Sequence, residues 1–279
     1  MKSHIYLLLG VCLIFILQVG DVFGKKYTIP PESEVINSFG RRLRFKKSLN
    51  PNHINVLVWN LYKGEKDDWK TDFLALSKNK DLLILQELYM DQKMKSTFKL
   101  KRKHLFKLAT SFIYKEENIP TGVGIGSVVS PVKVNFQRST PREPVIKTPK
   151  LILFHTYKIR RTRKKLLVAN IHGINFVKAK ALKDQLLAAQ KYIQEHKGPV
   201  IFAGDFNTWS EKKQKIMYTI MNELNLSEVT FKNDQRTTVF GNVIDFIFYR
   251  GLKLKESKTW GELEGSDHVA MSAQFEYKN

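Results

Sequence analysis

From residue 54 onward the chain alternates short apolar runs with stretches of helical spacing. Ile54-Asn55-Val56-Leu57-Val58-Trp59-Asn60 predicts a strand, and Asp81 to Glu87 is a nearly continuous apolar run that predicts a strand buried on both faces. Between them Trp69, Phe73 and Leu76 share one helical face. Leu151 to Tyr157, Leu166 to Ile171, Val200 to Ala203, Val243 to Tyr249 and Val269 to Tyr277 predict further strands. Leu182, Leu186, Ala189 and Ile193 mark an amphipathic helix that stops near Gly198-Pro199, and Ile216, Ile220 and Leu224 mark another after Trp209. Gly122 to Ser130 alternates glycine with branched residues, which predicts a strand whose glycine side another backbone approaches closely. It is not a phosphate-cradling loop, because no Gly-Lys-Ser/Thr follows. There is no internal repeat and no linker after residue 53. The pattern predicts one mixed α/β domain over residues 53–279, preceded at 25–52 by a basic leader or edge segment.

The N-terminus reads differently. Lys2 and His4 precede an apolar run from Ile5 to Val19, short for a membrane span of roughly 20 residues. Residues 1–24 are therefore expected to be an export signal cleaved near Val22-Phe23-Gly24, with an uncleaved membrane anchor as the alternative. The single cysteine, Cys12, lies inside that segment. The mature chain would have no disulfide, no disulfide-linked partner and no thiolate nucleophile. Hydrophobic residues make up 43% of the 279, enough for a packed core, and the net charge is +21. Such a charge concentrates polyanions, and three basic clusters stand out at 41–47, 99–103 and 158–165.

Candidate chemistry gathers where the apolar strands end. Asn60 ends the first strand and Glu87 the second, and Asn170 and His172 bracket the end of another. Asp205 and Asn207 follow Pro199-Val200-Ile201-Phe202-Ala203-Gly204 and would point to one side of a strand mouth. Asp245 lies within an apolar strand, and Asp267-His268 starts the last one. Any one of these groups serves as a turn former, a helix cap or a satisfied core residue. Six strand ends that all carry metal- or phosphate-suited groups are harder to explain structurally. The oxygen donors Glu87, Asp205, Asn207 and Asp267, with only two histidines, suit Mg²⁺, or Mn²⁺ or Ca²⁺, better than zinc.

This constellation resembles the endonuclease/exonuclease/phosphatase, or DNase I-like, superfamily. The pattern of Asn60, the pair Gln86-Glu87, Asn170-x-His172, Gly204-Asp205-Phe206-Asn207, Asp245 and Ser266-Asp267-His268 appears in order. The resemblance implies a four-layer sandwich of two mixed β-sheets flanked by helices. It implies Glu87 as a metal ligand, with Asn60 and Asp267 assisting, and Asp205 and Asn207 positioning the attacking water and the phosphate. His268 would be the general base, oriented by Asp245. His172 would donate to a phosphate oxygen or the leaving group, with a carboxylate partner sought among Glu116, Glu117 and Glu143. Asn170, Arg142 and Trp209 are expected to contact phosphate or substrate. The implied function is a divalent-metal-dependent phosphodiesterase, an exported monomeric nuclease with nucleic acid as its partner. The alternatives are a hydrolase of phospholipid, sphingomyelin or phosphoinositide on anionic lipid, and a non-catalytic polyanion-binding protein on the same scaffold.

Overall fold

The computed structural model describes residues 26–40, 46–144 and 147–278. The expected export segment, Cys12 and residues 41–45 of the first basic cluster lie outside the described residues. The first half of the chain supplies β1 (Tyr27–Thr28), β2 (Ile36–Phe39), β3 (Ile54–Asn60), α1 (Trp69–Leu76), β4 (Leu82–Tyr89), α2 (Gln92–Leu100), β5 (Leu105–Tyr114), β6 (Ile119–Ser127) and β7 (Lys133–Arg138). The second half supplies β8 (Leu151–Lys158), β9 (Lys165–His172), α3 (Ala179–Glu195), β10 (Val200–Asp205), α4 (Glu211–Glu223) and β11 (Ser227–Glu228). The hairpin β12 (Thr238–Val239) and β13 (Asn242–Val243) follows, then β14 (Asp245–Arg250), β15 (Lys253–Trp260) and β16 (Ala270–Glu276).

Two mixed sheets result. The first runs β1-β5-β6-β4-β3-β16-β15, with β2 also on β5, and the second runs β11-β14-β10-β9-β8-β7. Each contains one parallel pair, β3 with β4 and β9 with β10. Val58, Ile84 and Ile125 of the first sheet meet Leu153, Val168 and Ile201 of the second in a shared core. Trp69, Phe73 and Phe98 bury α1 and α2 on the outer face of the first sheet, against Trp59, Leu83 and Leu85. Leu186, Ala189 and Met217 bury α3 and α4 on the outer face of the second, against Phe154, Phe202 and Phe248. The architecture is a four-layer sandwich, with α1 and α2, two sheets, and α3 and α4 in succession.

Local sequence explains several joints. On β6 a methyl group at Gly122 would overlap the Ala109 carbonyl, and one at Gly126 would sit 2.5 Å from the Phe106 ring, so β5 packs only against glycine there. Asp91 caps α2 by accepting from Met94 N at 2.6 Å. Of the leader and the edge expected for 25–52, the described residues form the edge. Strands β1 and β2 pair with β5, and Val35 and Leu49 are buried in the core between the sheets. The burial of Val35 and Leu49 has no periodic signal, because each stands outside any long apolar run. Nor is the 243–249 strand continuous: Ile244 accepts from Phe206 N at 2.8 Å and separates β13 from β14, so Asp245 opens a strand.

The sheets are joined by a polar contact as well as by the core. Asn170, fully buried, donates to Leu85 O and Gly124 O, both at 2.9 Å, and accepts from Gln86 Nε2 at 2.6 Å. Its amide links β9 to the facing sheet, with its oxygen and both N–H groups engaged. The expected phosphate contact of Asn170 is thereby corrected, since no polar atom of this side chain is left for a ligand. Asn170→Leu is expected to strand three buried polar partners at about 1–3 kcal/mol each before any compensation. Urea unfolding should show a lower midpoint with an unchanged slope. An unaltered midpoint would rule out a structural role for the amide.

Candidate active site

Register assembles the site. On β10, Asp205 stands beside His172 of the parallel β9 and beside Asp245 of the antiparallel β14. Three adjacent strands thus present polar side chains at one level. Gly204 keeps β10 close to β9 up to that level: its φ is +134°, and a methyl group there would overlap the Ile171 carbonyl. The chain turns after Asp205, not at Gly204. Asn207 completes the turn, its N–H donating to Asp205 Oδ1 at 2.8 Å and its Nδ2 to Asp205 Oδ2 at 3.0 Å and to Gly173 O at 2.9 Å.

The facing sheet supplies the other half. Glu87 has φ +51° and sits where the β4–β6 register slips by one residue between Leu85 and Leu88. A bulge of this kind re-aims a side chain, and here it turns the Glu87 carboxylate into the cleft while β4 continues to Tyr89. Ser266 Oγ donates to Asn60 O at 2.7 Å and accepts from His268 N at 3.1 Å, and Trp59 Nε1 donates to His268 O at 2.8 Å. These bonds fasten Ser266-Asp267-His268 to the end of β3. The His268 ring then meets Asp245 across the two sheets, with Nδ1 and Oδ2 at 2.8 Å.

The open cleft between the sheet ends has a cavity volume of ≈ 360 Å³ and is lined by Glu87, His172, Asp205, Asn207, Asp267 and His268, with Lys63, Lys150 and Tyr114 on its walls. Tyr62, Lys63, Glu87, Phe176 and Asn207, all with φ between +45° and +53°, line it too. Backbone conformations that side-chain-bearing residues avoid therefore concentrate at this cavity.

Charge is unevenly matched there. Burial pushes the Asp205 carboxyl up from its ordinary range; the His268 charge opposes the rise, while Asp245 and Glu87 add to it. Partial desolvation in the cleft also raises Asp267, although the residue is exposed, against the pull of His268 and with a push from Glu87. Burial disfavours a charged His268, yet the Asp245 carboxylate and its hydrogen bond, with Asp205 and Asp267, push the ring up to about 10. His172 goes the other way, held well below the usual histidine value by burial and then by Lys150, His268 and Lys63. Its Nε2 lies 3.5 Å from Asp205 Oδ2 and 3.7 Å from Glu87 Oε1. With a neutral ring these contacts are polar neighbours and not ion pairs. Of the three glutamates considered as its partner, Glu116 and Glu117 are exposed in the β5–β6 turn. Glu143 lines the cavity but is engaged by Asn175 N at 3.2 Å and Lys150 Nζ at 3.5 Å.

Four carboxylates, Glu87, Asp205, Asp245 and Asp267, thus converge in a chain of net charge +21. Two are pushed toward the protonated state, so their negative charge is incompletely balanced. An oxygen-rich, under-compensated set of this kind fits a hard divalent cation. Asp205, Asp245 and His268 offer ligand atoms within 4.8 Å of one another, although His268 already spends Nδ1 on Asp245. Asn60 differs from its expected part. Its oxygen accepts from Tyr62 N at 3.0 Å, and its Nδ2 points to Asp205 Oδ2 at 3.4 Å and His268 Nε2 at 3.5 Å. It is oriented as an amide donor among the acids, not as an oxygen ligand.

Two expected substrate contacts lie off the cavity. Arg142 is exposed and lines a neighbouring depression that shares Tyr27 with it. Trp209 sits behind the rim, donating to Asn175 Oδ1 at 2.8 Å and lying 4.2 Å from Lys213 Nζ. The 158–165 cluster lies at the opposite end of β9 from His172, roughly 25 Å along an eight-residue strand, and 99–103 precedes the end of β5 remote from Tyr114. Neither cluster borders the cleft. Sequence reasoning missed Lys213, which is buried under the Asn207 turn, donates to Asn207 O at 3.3 Å and is lowered to about 8 by burial against the pull of Asp205 and Glu143. Its signal was a lysine on the apolar stripe of α4, in step with Met217 and Ile220.

Known proteins share this fold. The sequence model of the Endonuclease/Exonuclease/phosphatase family matches residues 57–268. The chain is 34% identical over 283 residues to a "UPF0294 protein" of Vibrio campbellii, covering 97% of this chain and 98% of that relative. Its fold is similar to that of the endonuclease/exonuclease/phosphatase from Bacteroides vulgatus, with TM-score 0.65 and 17% identity over 81% of this chain and all of that one. It is also similar to D. rerio TDP2 complexed with single strand DNA product, with TM-score 0.56 and 14% identity over 80% of this chain and 98% of that one. The family match begins in β3, whose end carries Asn60, and closes on His268, so it spans both half-sites: the chain belongs to the endonuclease/exonuclease/phosphatase family, whose members are hydrolases of phosphoester bonds.

Proposed function

We propose that this protein is a divalent-metal-dependent phosphodiesterase that cleaves nucleic acid. The observation that carries the reading is the 2.8 Å contact between His268 Nδ1 and Asp245 Oδ2, which fixes the ring and turns Nε2, approached only at 3.5 Å by Asn60 Nδ2, toward substrate. Asp205 and Asn207, locked to each other at the mouth of β10, are the groups placed to hold an attacking water. Neutral His172 is suited to donate a hydrogen bond to a phosphate oxygen. Lys63 and Lys150 on the walls offset phosphate charge. Glu87 and Asp267 would hold the cation, with Asp205 close by. When bound, a divalent cation supplies positive charge against both the crowded carboxylates and the phosphate oxygens. His268 can accept a proton at neutral pH only if the acids that keep it charged are neutralised in some such way. Nucleic acid is favoured by the net charge of +21, by the cations at the cleft and by the DNA-bound neighbour. A side-by-side assay of DNA, RNA, sphingomyelin vesicles and phosphoinositide vesicles, each with Mg²⁺, tests the assignment. Cleavage of DNA or RNA is expected. Turnover of lipid alone would transfer the same chemistry to a different substrate and overturn the nuclease reading.

A further inference from the structure

The most exposed large apolar side chains among the described residues are Phe240, at 77%, and Phe176, at 72%. Both have left-handed backbone, with φ +51° and +52°. Residues with a side chain enter that region at a cost, and the cost is usually explained by function. Phe240 and Gly241 form the two-residue turn of the β12–β13 hairpin, a position that favours Asn-Gly or Gly-Gly. Phe176 follows the catalytic end of β9 and lines the active cavity itself.

One amide network holds both rings outward. Asn175 Oδ1 accepts from Phe176 N and from Trp209 Nε1, each at 2.8 Å. Asn242 Nδ2 donates to Phe240 O at 3.2 Å and to Trp209 O at 3.4 Å. The Trp209 and Phe240 rings meet edge to face, with centroids 6.3 Å apart. Trp209 is thus the post to which both loops are tied. Neither phenylalanine serves the core, and folding alone would favour asparagine or glycine at both places.

A flat apolar ring at the mouth of a phosphodiester-cleaving cavity suits a flat group attached to that phosphodiester. In nucleic acid that group is a base, and its face is free only when it is unstacked. A bilayer would ask for a continuous apolar tip. Here the two rings sit on separate loops, Phe176 next in sequence to the Asn175 amide and Phe240 hydrogen bonded to that of Asn242, and exposed Lys178 follows Phe176. We propose that Phe176, at the mouth of the cavity, and Phe240, tied to the same loop through Trp209, form a stacking platform for unpaired bases that flank the scissile phosphate, so that single-stranded nucleic acid or unpaired ends are preferred to continuous duplex. This rests on the nuclease reading above.

The test uses the full chain with Mg²⁺ on three substrates: a single-stranded oligonucleotide, its duplex, and the same strand made abasic around the cleaved position. The single strand should be cleaved faster than the duplex. Phe176→Ala should raise KM on the base-bearing strand about tenfold and leave the abasic strand nearly unchanged. Phe240→Ala should act in the same direction, and Phe176→Tyr should keep near-normal KM. Equal loss on base-bearing and abasic strands, or equal cleavage of duplex and single strand by the unaltered protein, would overturn the platform while leaving the nuclease reading intact. Cleavage of no nucleic acid at all would overturn both.

Discussion

Replacing His268 with alanine is expected to slow phosphodiester hydrolysis about a thousandfold and leave the fold intact. The imidazole joins the two halves of the site by a short hydrogen bond. Its backbone is fastened to β3 through Ser266 and Trp59, and its Nδ1 is held by Asp245 of the opposite sheet. A proton-transferring side chain contributes roughly 100- to 10,000-fold, and water cannot reproduce the ring's fixed orientation. Asp245→Asn should follow in the same direction, because an amide would misdirect the ring. The measurement is kcat at saturating oligonucleotide, accompanied by a thermal melt. A variant that keeps more than a tenth of the turnover and melts normally would remove His268 from the reaction.

Asp205→Asn is expected to lose at least about a hundredfold in turnover while its melting temperature holds or rises. The activity loss follows from removing a buried carboxylate that faces His172, Asn207 and the Asp245–His268 pair. The stability expectation has a separate cause. Asp205 is 2% exposed and crowded by Asp245 and Glu87, so ionising it opposes folding. Asparagine keeps the acceptor for Asn207 N and removes the charge, which offsets the loss of the second oxygen as acceptor for Asn207 Nδ2 and Asn60 Nδ2. Sites that hold such strain trade stability for activity. A marked drop in the melting temperature would show instead that Asp205 is a structural bond and that its functional placement is wrong.

Much of this site was legible because its residues interrupt apolar runs. Asp205, Asp245 and His172 end up in one row because each ends or opens a strand of the same sheet. What pattern alone could not show was direction. Asn170 and His172 are two apart on β9, yet the Asn170 amide joins the sheets while His172 faces the cavity. Glu87 enters the cleft only because of a bulge, and a bulge leaves no mark in an apolar run of leucines. The edge strands β1, β2 and β15 carry too few apolar residues to announce themselves: β15 reads Lys-Leu-Lys-Glu-Ser-Lys-Thr-Trp, a charged edge that resists pairing with other chains. The basic clusters were conspicuous in the sequence, but strand polarity carries two of them away from the chemistry. The exposed phenylalanines gave no signal at all, since burial is not encoded by a single aromatic residue.

In the proposed function, four converging carboxylates and a fixed histidine work as a divalent-metal phosphodiesterase. Its most direct test is a chelation and add-back assay on the purified full chain with a labelled oligonucleotide. No detectable cleavage is expected after exhaustive EDTA treatment, with recovery on adding excess Mg²⁺ or Mn²⁺. Cleavage that continues undiminished in the chelated protein would contradict the proposed function.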